Sequence, residues 1–496
     1  MMLPSLLRYS ALCVYICATT LPLAAQEQLG MRLERYAGIY GAGINPAATA
    51  FNPNRWEVSL FSADAFLVNN YLFLQNTSLP KILRAPDQIR SARDYRPETP
   101  PPADVILLDY FRADRRMRGV AQTRLSGPAF SVRIGEKHVF GLSMALRTGF
   151  SMYNIPAVLR YDRIGYLRRG ETVRIAPTGP TAAAWGELAL HYSHRNSDGD
   201  VVVAWGITPK LLLGLEGGFG RIEGAFDYTP VGNDTAAFAR AQWDYGLTLH
   251  NLSALEQQQS ARPQVNGYGP GLDMGVAWAM PTDDSDAPED YYWRAGISLV
   301  DVGFVHFNQG TERHRIEIDT IITVSANDLN ADNAQGYLAD ASRVFLGDST
   351  RSLQARAFSM GLPSALSLQF DYRVASCFYV AALLTQRVKF SKYSLQRPNT
   401  LAVVPRFEHR WFSLSVPMVL DDWQSLRLGL AARLGFLVLG SDHLGSFFTQ
   451  EKFTGTDFYM GLKINGFSLN KGKKGGGSKK QRGSSRNVKG VKCYDF

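Results

Sequence analysis

The feature that most constrains this chain is an apolar/polar alternation of period two, recurring in stretches of about ten residues, with no apolar run long enough for a helical span after the N-terminus. Phe140, Leu142, Met144 and Leu146 alternate with Gly141, Ser143, Ala145 and Arg147. Leu272, Met274, Val276, Trp278 and Met280 oppose Asp273, Gly275, Ala277 and Ala279. The same pattern returns at Leu366–Val374, Leu426–Leu434 and Phe458–Asn465. Successive strand side chains point to opposite faces, so each stretch has one apolar face and one face of small, polar or charged groups. A soluble sandwich also alternates, but apolar faces about nine or ten residues long match a tilted membrane strand. Charges such as Asp371 and Arg373 on the other face suit a polar lumen. Only a closed barrel leaves no unpaired edge in lipid. The pattern therefore predicts an all-β, transmembrane, antiparallel up-and-down β-barrel of about 14 strands, 14 to 16 being allowed because single-chain bacterial barrels have even numbers.

Fifteen segments carry the signal, near 56–67, 128–135, 138–150, 184–194, 201–213, 216–228, 238–250, 267–280, 292–306, 364–374, 377–390, 401–410, 411–419, 425–440 and 455–467. Residues 196–200 (Asn-Ser-Asp-Gly-Asp) read as a hairpin turn and residues 283–288 as a polar loop. Two insertions, 75–118 and 308–352, are too long for turns, and the second has a short helix expected near Asn330–Phe345.

The two ends differ from the body. Residues 1–25 place Arg8 before an apolar stretch and a Leu23-Ala24-Ala25 exit, the order of a secretory signal peptide cleaved before Gln26. Residues 26–55 are expected to form an N-terminal periplasmic or plug segment, residues 56–467 the barrel, and residues 468–496 a basic disordered tail. The net charge is +9, yet nearly all of it lies in the tail, which excludes a uniformly basic nucleic-acid binder. Candidate partner-binding residues there are Lys473, Lys474, Lys479, Lys480, Arg482, Arg486, Lys489, Lys492, Tyr494 and Phe496. Cys377 and Cys493 are too few for a disulfide framework; Cys377 reads as inert and Cys493 as a free or intermolecular thiol.

Lumen-facing candidates follow from the alternation: Arg147, Glu187, Asp244, Asp273, Arg294, Asp371, Arg373, Arg427, Arg433 and Lys463. Polar pairs that satisfy one another fix register in barrels, and this use outweighs solute selectivity at these positions. His191 and His194 fall on opposite strand faces, so they do not form a joint metal site. No phosphate-cradling loop, His-Glu-x-x-His motif or nucleophile elbow is present, and neither enzymatic activity nor a cofactor or metal is expected.

Gly41-Ala42-Gly43-Ile44-Asn45-Pro46-Ala47-Ala48-Thr49-Ala50, just before the first strand, resembles the barrel superfamily of long-chain fatty-acid transporters and the Bacteroidetes barrels associated with type IX secretion and gliding. Residues 269–275, Ser298-Leu299-Val300-Asp301-Val302-Gly303, Leu362-Pro363-Ser364-Ala365-Leu366, residues 405–408 and Arg433-Leu434-Gly435 are similar to strand starts in those Bacteroidetes proteins. The resemblance spans roughly residues 30–467 and implies an outer-membrane location, contact with its lipid and a fold. Two functions remain open. One is a non-enzymatic accessory or anchoring subunit of a cell-envelope complex, its tail meeting a periplasmic or outer-membrane protein partner. The other is a transporter or channel for a hydrophobic or small solute.

Overall fold

The computed structural model describes residues 27–95, 102, 104–112, 116–197, 199–250, 263–282, 290–329, 331 and 333–465. The signal-peptide reading, the loop at 283–288 and every tail candidate from Lys473 to Phe496 lie outside the described residues.

Fourteen strands close into one antiparallel barrel. They are β1 (Trp56–Asn69), β2 (Met117–Ser126, continuing as Ala129–Ile134), β3 (His138–Ile155), β4 (Gly179–Asn196) and β5 (Val202–Ile222). Next come β6 (Gly267–Pro281), β7 (Tyr291–Phe307), β8 (Phe358–Gly361, continuing as Ala365–Ala375), β9 (Phe378–Arg387) and β10 (Thr400–Glu408). β11 (Phe412–Ser415 with Met418–Asp421), β12 (Ser425–Leu428 with Leu430–Leu434), β13 (Leu437–Ser441) and β14 (Gly455–Asn465) complete the ring. Closure is the pairing of β14 with β1, from Glu57 opposite Asn465 to Val68 opposite Gly455. Proline marks three of the four broken strands: Pro128, Pro363 and Pro417 lack the donor a ladder needs and sit at the breaks.

The fourteen strands agree with the even number expected, and three of the fifteen sequence segments map onto them differently. Residues 201–213 and most of 216–228 fall on a single strand, β5, with a register shift at Gly214/Glu216, while residues 226–228 belong to a loop strand. Residues 425–440 form two strands, because Gly435, at φ 58°, turns the chain between β12 and β13. Residues 241–248 are a strand but not a member of the ring: they pair with residues 218–222 of β5, above the point where β6 begins at Gly267.

The alternation sorts side chains as a membrane barrel requires. Phe140, Met144, Leu368, Phe370 and Leu426 are exposed on the outer wall, while Arg147, Asp273, Asp371 and Arg433 are buried on the inner one. One end of the barrel has short turns, the other long loops. The loops build two small sheets: residues 173–175, 226–230, 235–239 and 322–325 in one, residues 72–77, 89–91, 106–110 and 450–453 in the other. Against the first packs helix α1, Ala334–Leu346, through Phe345 on Trp243 and Phe238. Asn333 caps its N-terminus by accepting the Gly336 N–H at 2.7 Å, and Gly347, at φ 80°, ends it. Cys377, expected as an inert thiol, is disulfide-bonded; it lies in the tight turn between β8 and β9, at the barrel end where β14 finishes.

Candidate functional site, a plugged and charge-lined bore

Residues 27–52 run inside the barrel as a chain of short helical turns and are buried almost throughout. They have neither the length of a helix nor the alternation of a strand, so their backbone groups need partners from the wall. Glu57, near the foot of β1, serves several. Its carboxylate accepts the Ile39 N–H, the Asn52 Nδ2 donor at 3.0 Å and the Ser131 hydroxyl at 3.1 Å, and Lys463 lies 3.5 Å away. The carboxylate fits because residue 38 is glycine: at φ 57° a side chain there is strained, and a Cβ would overlap the Glu57 oxygens. Lys463 also donates to the carbonyls of Tyr36 and Ala37. Ser298 donates to the Ile44 carbonyl and Thr49 bonds to Ser193.

The Asn45-Pro46-Ala47 segment is the seat of this plug. Asn45 Oδ1 accepts the Ala47 N–H at 2.9 Å, while Nδ2 donates to the Val276 carbonyl and to Gln369. Inward-facing Gly206 and Gly275 admit it: a Cβ at Gly206 would lie 2.6 Å from Pro46 backbone, and one at Gly275 2.2 Å from Asn45 Oδ1. Charge locks the other side. Glu34 accepts Arg433 Nε at 3.0 Å and the Ser413 hydroxyl at 2.7 Å. Arg35 pairs with Asp290 at 2.9 Å and with Glu408 at 3.4 Å.

Above the plug lies a belt of ion pairs at mid-height. Arg147 donates to both Asp301 oxygens, at 2.7 and 2.9 Å, and to Glu187 at 3.0 Å. Lys210 reaches Asp273 at 2.7 Å, Asp301 at 2.9 Å and Glu187 at 3.6 Å. The belt encloses a cavity of about 50 Å³, lined also by Arg32, Asp64, Arg124 and His191. That volume admits a few waters, against the ~150 Å³ of a cavity that holds benzene. His191 bonds to Thr208 through Nδ1 at 2.6 Å; its Nε2 has no hydrogen-bond partner among the described residues, which suits a water in the cavity.

The long-loop half of the bore is apolar on one side. Trp185, Leu212, Phe219, Val305, Phe307, Phe358, Met360 and Leu362 form one buried cluster. Residues 388–399, between β9 and β10, fold into it and insert Tyr393 and Leu395. Tyr393 stacks on Phe219 with centroids 4.1 Å apart, and Leu395 N–H donates to the Gly361 carbonyl at 3.0 Å. Two residues further on, Arg397 pairs with Glu27 of the plug and lies 4.0 Å from Asp301, so this loop touches plug and belt at once. At its rim, hydrogen bonds to Glu223 and Tyr393 hold the Lys392 ammonium above the usual lysine range.

Nine of the ten charged candidates lie on the ring's inner wall, in six groups. Arg147, Glu187 and Asp273 meet in the belt; Arg294 and Asp371 pair at 3.3 Å. Arg373 pairs with Asp290 at 3.2 Å rather than with Asp371, Arg427 with Asp421, Arg433 with Glu34 and Lys463 with Glu57. Asp244 sits on the strand above the ring, where it binds Arg313 at 3.0 Å, Lys392 and the inward-folded Tyr393. Lys210, Asp301, Glu34, Arg35, Arg397 and Arg406 were missed. Lys210 was within reach, since Thr208 and Lys210 alternate with Ile207 and Leu211. Among the described residues, no group of three His, Cys, Asp or Glu side chains could hold a metal ion.

No curated protein matches the chain. Solved structures similar to it include the toluene transporter TodX of P. putida, at 8% identity, covering 87% of this chain and 94% of that one with a TM-score of 0.39. The toluene transporter TbuX of Ralstonia pickettii matches at 8% identity, 87% and 94% coverage and a TM-score of 0.39. A Pseudomonas aeruginosa FadL homologue matches at 10% identity, 90% and 99% coverage and a TM-score of 0.27. A family model described as "Family of unknown function (DUF5723)" matches residues 46–442.

Proposed function

We propose, for a chain that belongs to the family of unknown function DUF5723, a non-enzymatic role as an outer-membrane channel for a small hydrophobic solute. The observation that carries this reading is the apolar cluster on the inner wall of the long-loop half. A barrel needs apolar side chains on its lipid face, whereas the lumen of a channel for polar solutes is polar. Here Trp185, Leu212, Phe219, Phe307 and Phe358 spend large apolar surface on the inside. The chemistry suits a cargo that leaves water for that wall, at about 25 cal/mol per Å² of apolar surface transferred. Tyr393 and Leu395 occupy the chamber in this structure, so loading requires the loop at 388–399 to withdraw. The belt and plug below close the route to ions and water.

Uptake of a radiolabelled monoaromatic hydrocarbon by cells producing the chain, against cells lacking it, tests the proposal. Production should raise hydrocarbon uptake and leave glucose uptake unchanged, and the Tyr393→Ala, Leu395→Ala double variant should raise it further. Equal hydrocarbon uptake with and without the protein would overturn the reading.

A further inference from the structure

A second recess lies outside the barrel, on the small sheet built from the loops before β2 and after β13. Its strands, Leu72–Thr77, Ile106–Tyr110 and Gln450–Phe453, pair so that Phe73 faces Asp109 and Gln75 faces Lys452 across the ladders. Partners directly opposite each other share a sheet face, which places these four side chains on one surface. The cavity over them measures about 450 Å³, within the usual range for ligand sites. Phe73 and Phe111 lie in contact there, centroids 4.8 Å apart. Around them stand Gln75, Asp109, Glu451 and Lys452. Gln75 donates to Asp109 at 3.3 Å, and the Lys452 ammonium lies 5.6 Å from the centre of the Phe73 ring. Among the described residues, Asp109, Glu451 and Lys452 make no ion pair with one another or with a third group.

We infer that this recess binds a saccharide. A pyranose has an apolar C–H face that packs on aromatic rings and a rim of hydroxyls that both donate and accept. Phe111, packed on the buried Phe73, supplies the first requirement; carboxylate, amide, guanidinium and ammonium supply the second. A hydrocarbon would desolvate four charged groups, Asp109, Arg112, Glu451 and Lys452. A phosphate would meet the carboxylates of Asp109 and Glu451 as well as Arg112 and Lys452. The site is separate from the bore, and its occupant is independent of what the bore conducts.

Saturation-transfer NMR on the full chain in detergent tests this, with chitobiose and maltotriose as free probes and rough lipopolysaccharide micelles as the lipid-borne one. Transfer to ring protons of a free sugar is expected, and Asp109→Asn and Lys452→Ala should each weaken it by about tenfold. Transfer to lipopolysaccharide sugar alone, lost in the same variants, would assign the site to a lipid-borne saccharide. Retained heat-modifiable gel mobility shows that both variants still fold. Absence of transfer for all three probes, or transfer unchanged in both variants, would overturn the inference.

Discussion

The two halves of the bore are filled in different ways. In the short-turn half and at mid-height, ion pairs are added to the apolar contacts of the plug with the wall: Glu34 on Arg433, Arg35 on Asp290, and Lys210 between Asp273 and Asp301. In the long-loop half the filling depends on apolar packing around Phe219, Phe307 and Tyr393. A buried ion network is specific but unforgiving, since removing one partner strands another charge. An apolar cluster tolerates substitution of similar volume and gives way more gradually. The lesson is a division of labour. The ionic half holds one register and one plug position, and the apolar half is where an apolar occupant can exchange with side chains.

Substitutions that separate the halves follow in order of expected size. Asp301→Ala leaves Arg147 and Lys210 sharing only Glu187 and should cost about 3–5 kcal/mol, read from the urea midpoint of the folded barrel in detergent. Phe307→Ala should cost about 3 kcal/mol by the same assay, but with raised hydrocarbon uptake, which Asp301→Ala should not show. If both changes altered uptake equally, the functional contrast between the halves would be lost. Leu368→Arg, on the lipid face of β8, should cost about 2–4 kcal/mol without changing uptake in the protein that still inserts. Glu34→Gln keeps the shape and removes a charge; a loss of about 1–3 kcal/mol is expected, with faster hydrogen exchange confined to residues 27–52.

The wall was legible in the sequence because its rule is simple: long strands such as β3 and β4 keep the alternation through the membrane, and their inward charges, Arg147 and Glu187, follow. What broke the rule escaped. Asp301 has φ 55° beside a register shift in the β6–β7 ladder, so it and Val300 both face inward and parity fails there. Asp244 obeyed the alternation, yet its strand leaves the ring. A periplasmic or plug segment was expected over residues 26–55, but Glu34 and Arg35 lie in irregular backbone whose partners are hundreds of residues away in β10, β12 and the turn before β7. No period links them. The loop at 388–399 was similarly silent, its inward fold set by Tyr393 and Leu395 finding a cluster assembled from β4, β5, β7 and β8.

Ion current through the intact chain in a planar bilayer tests the central claim most directly. A bore sealed by belt and plug, with only about 50 Å³ free among the charges, should carry no steady open-pore current at moderate voltage. A stable, porin-like conductance would contradict it, showing that a continuous aqueous path passes the ionic half.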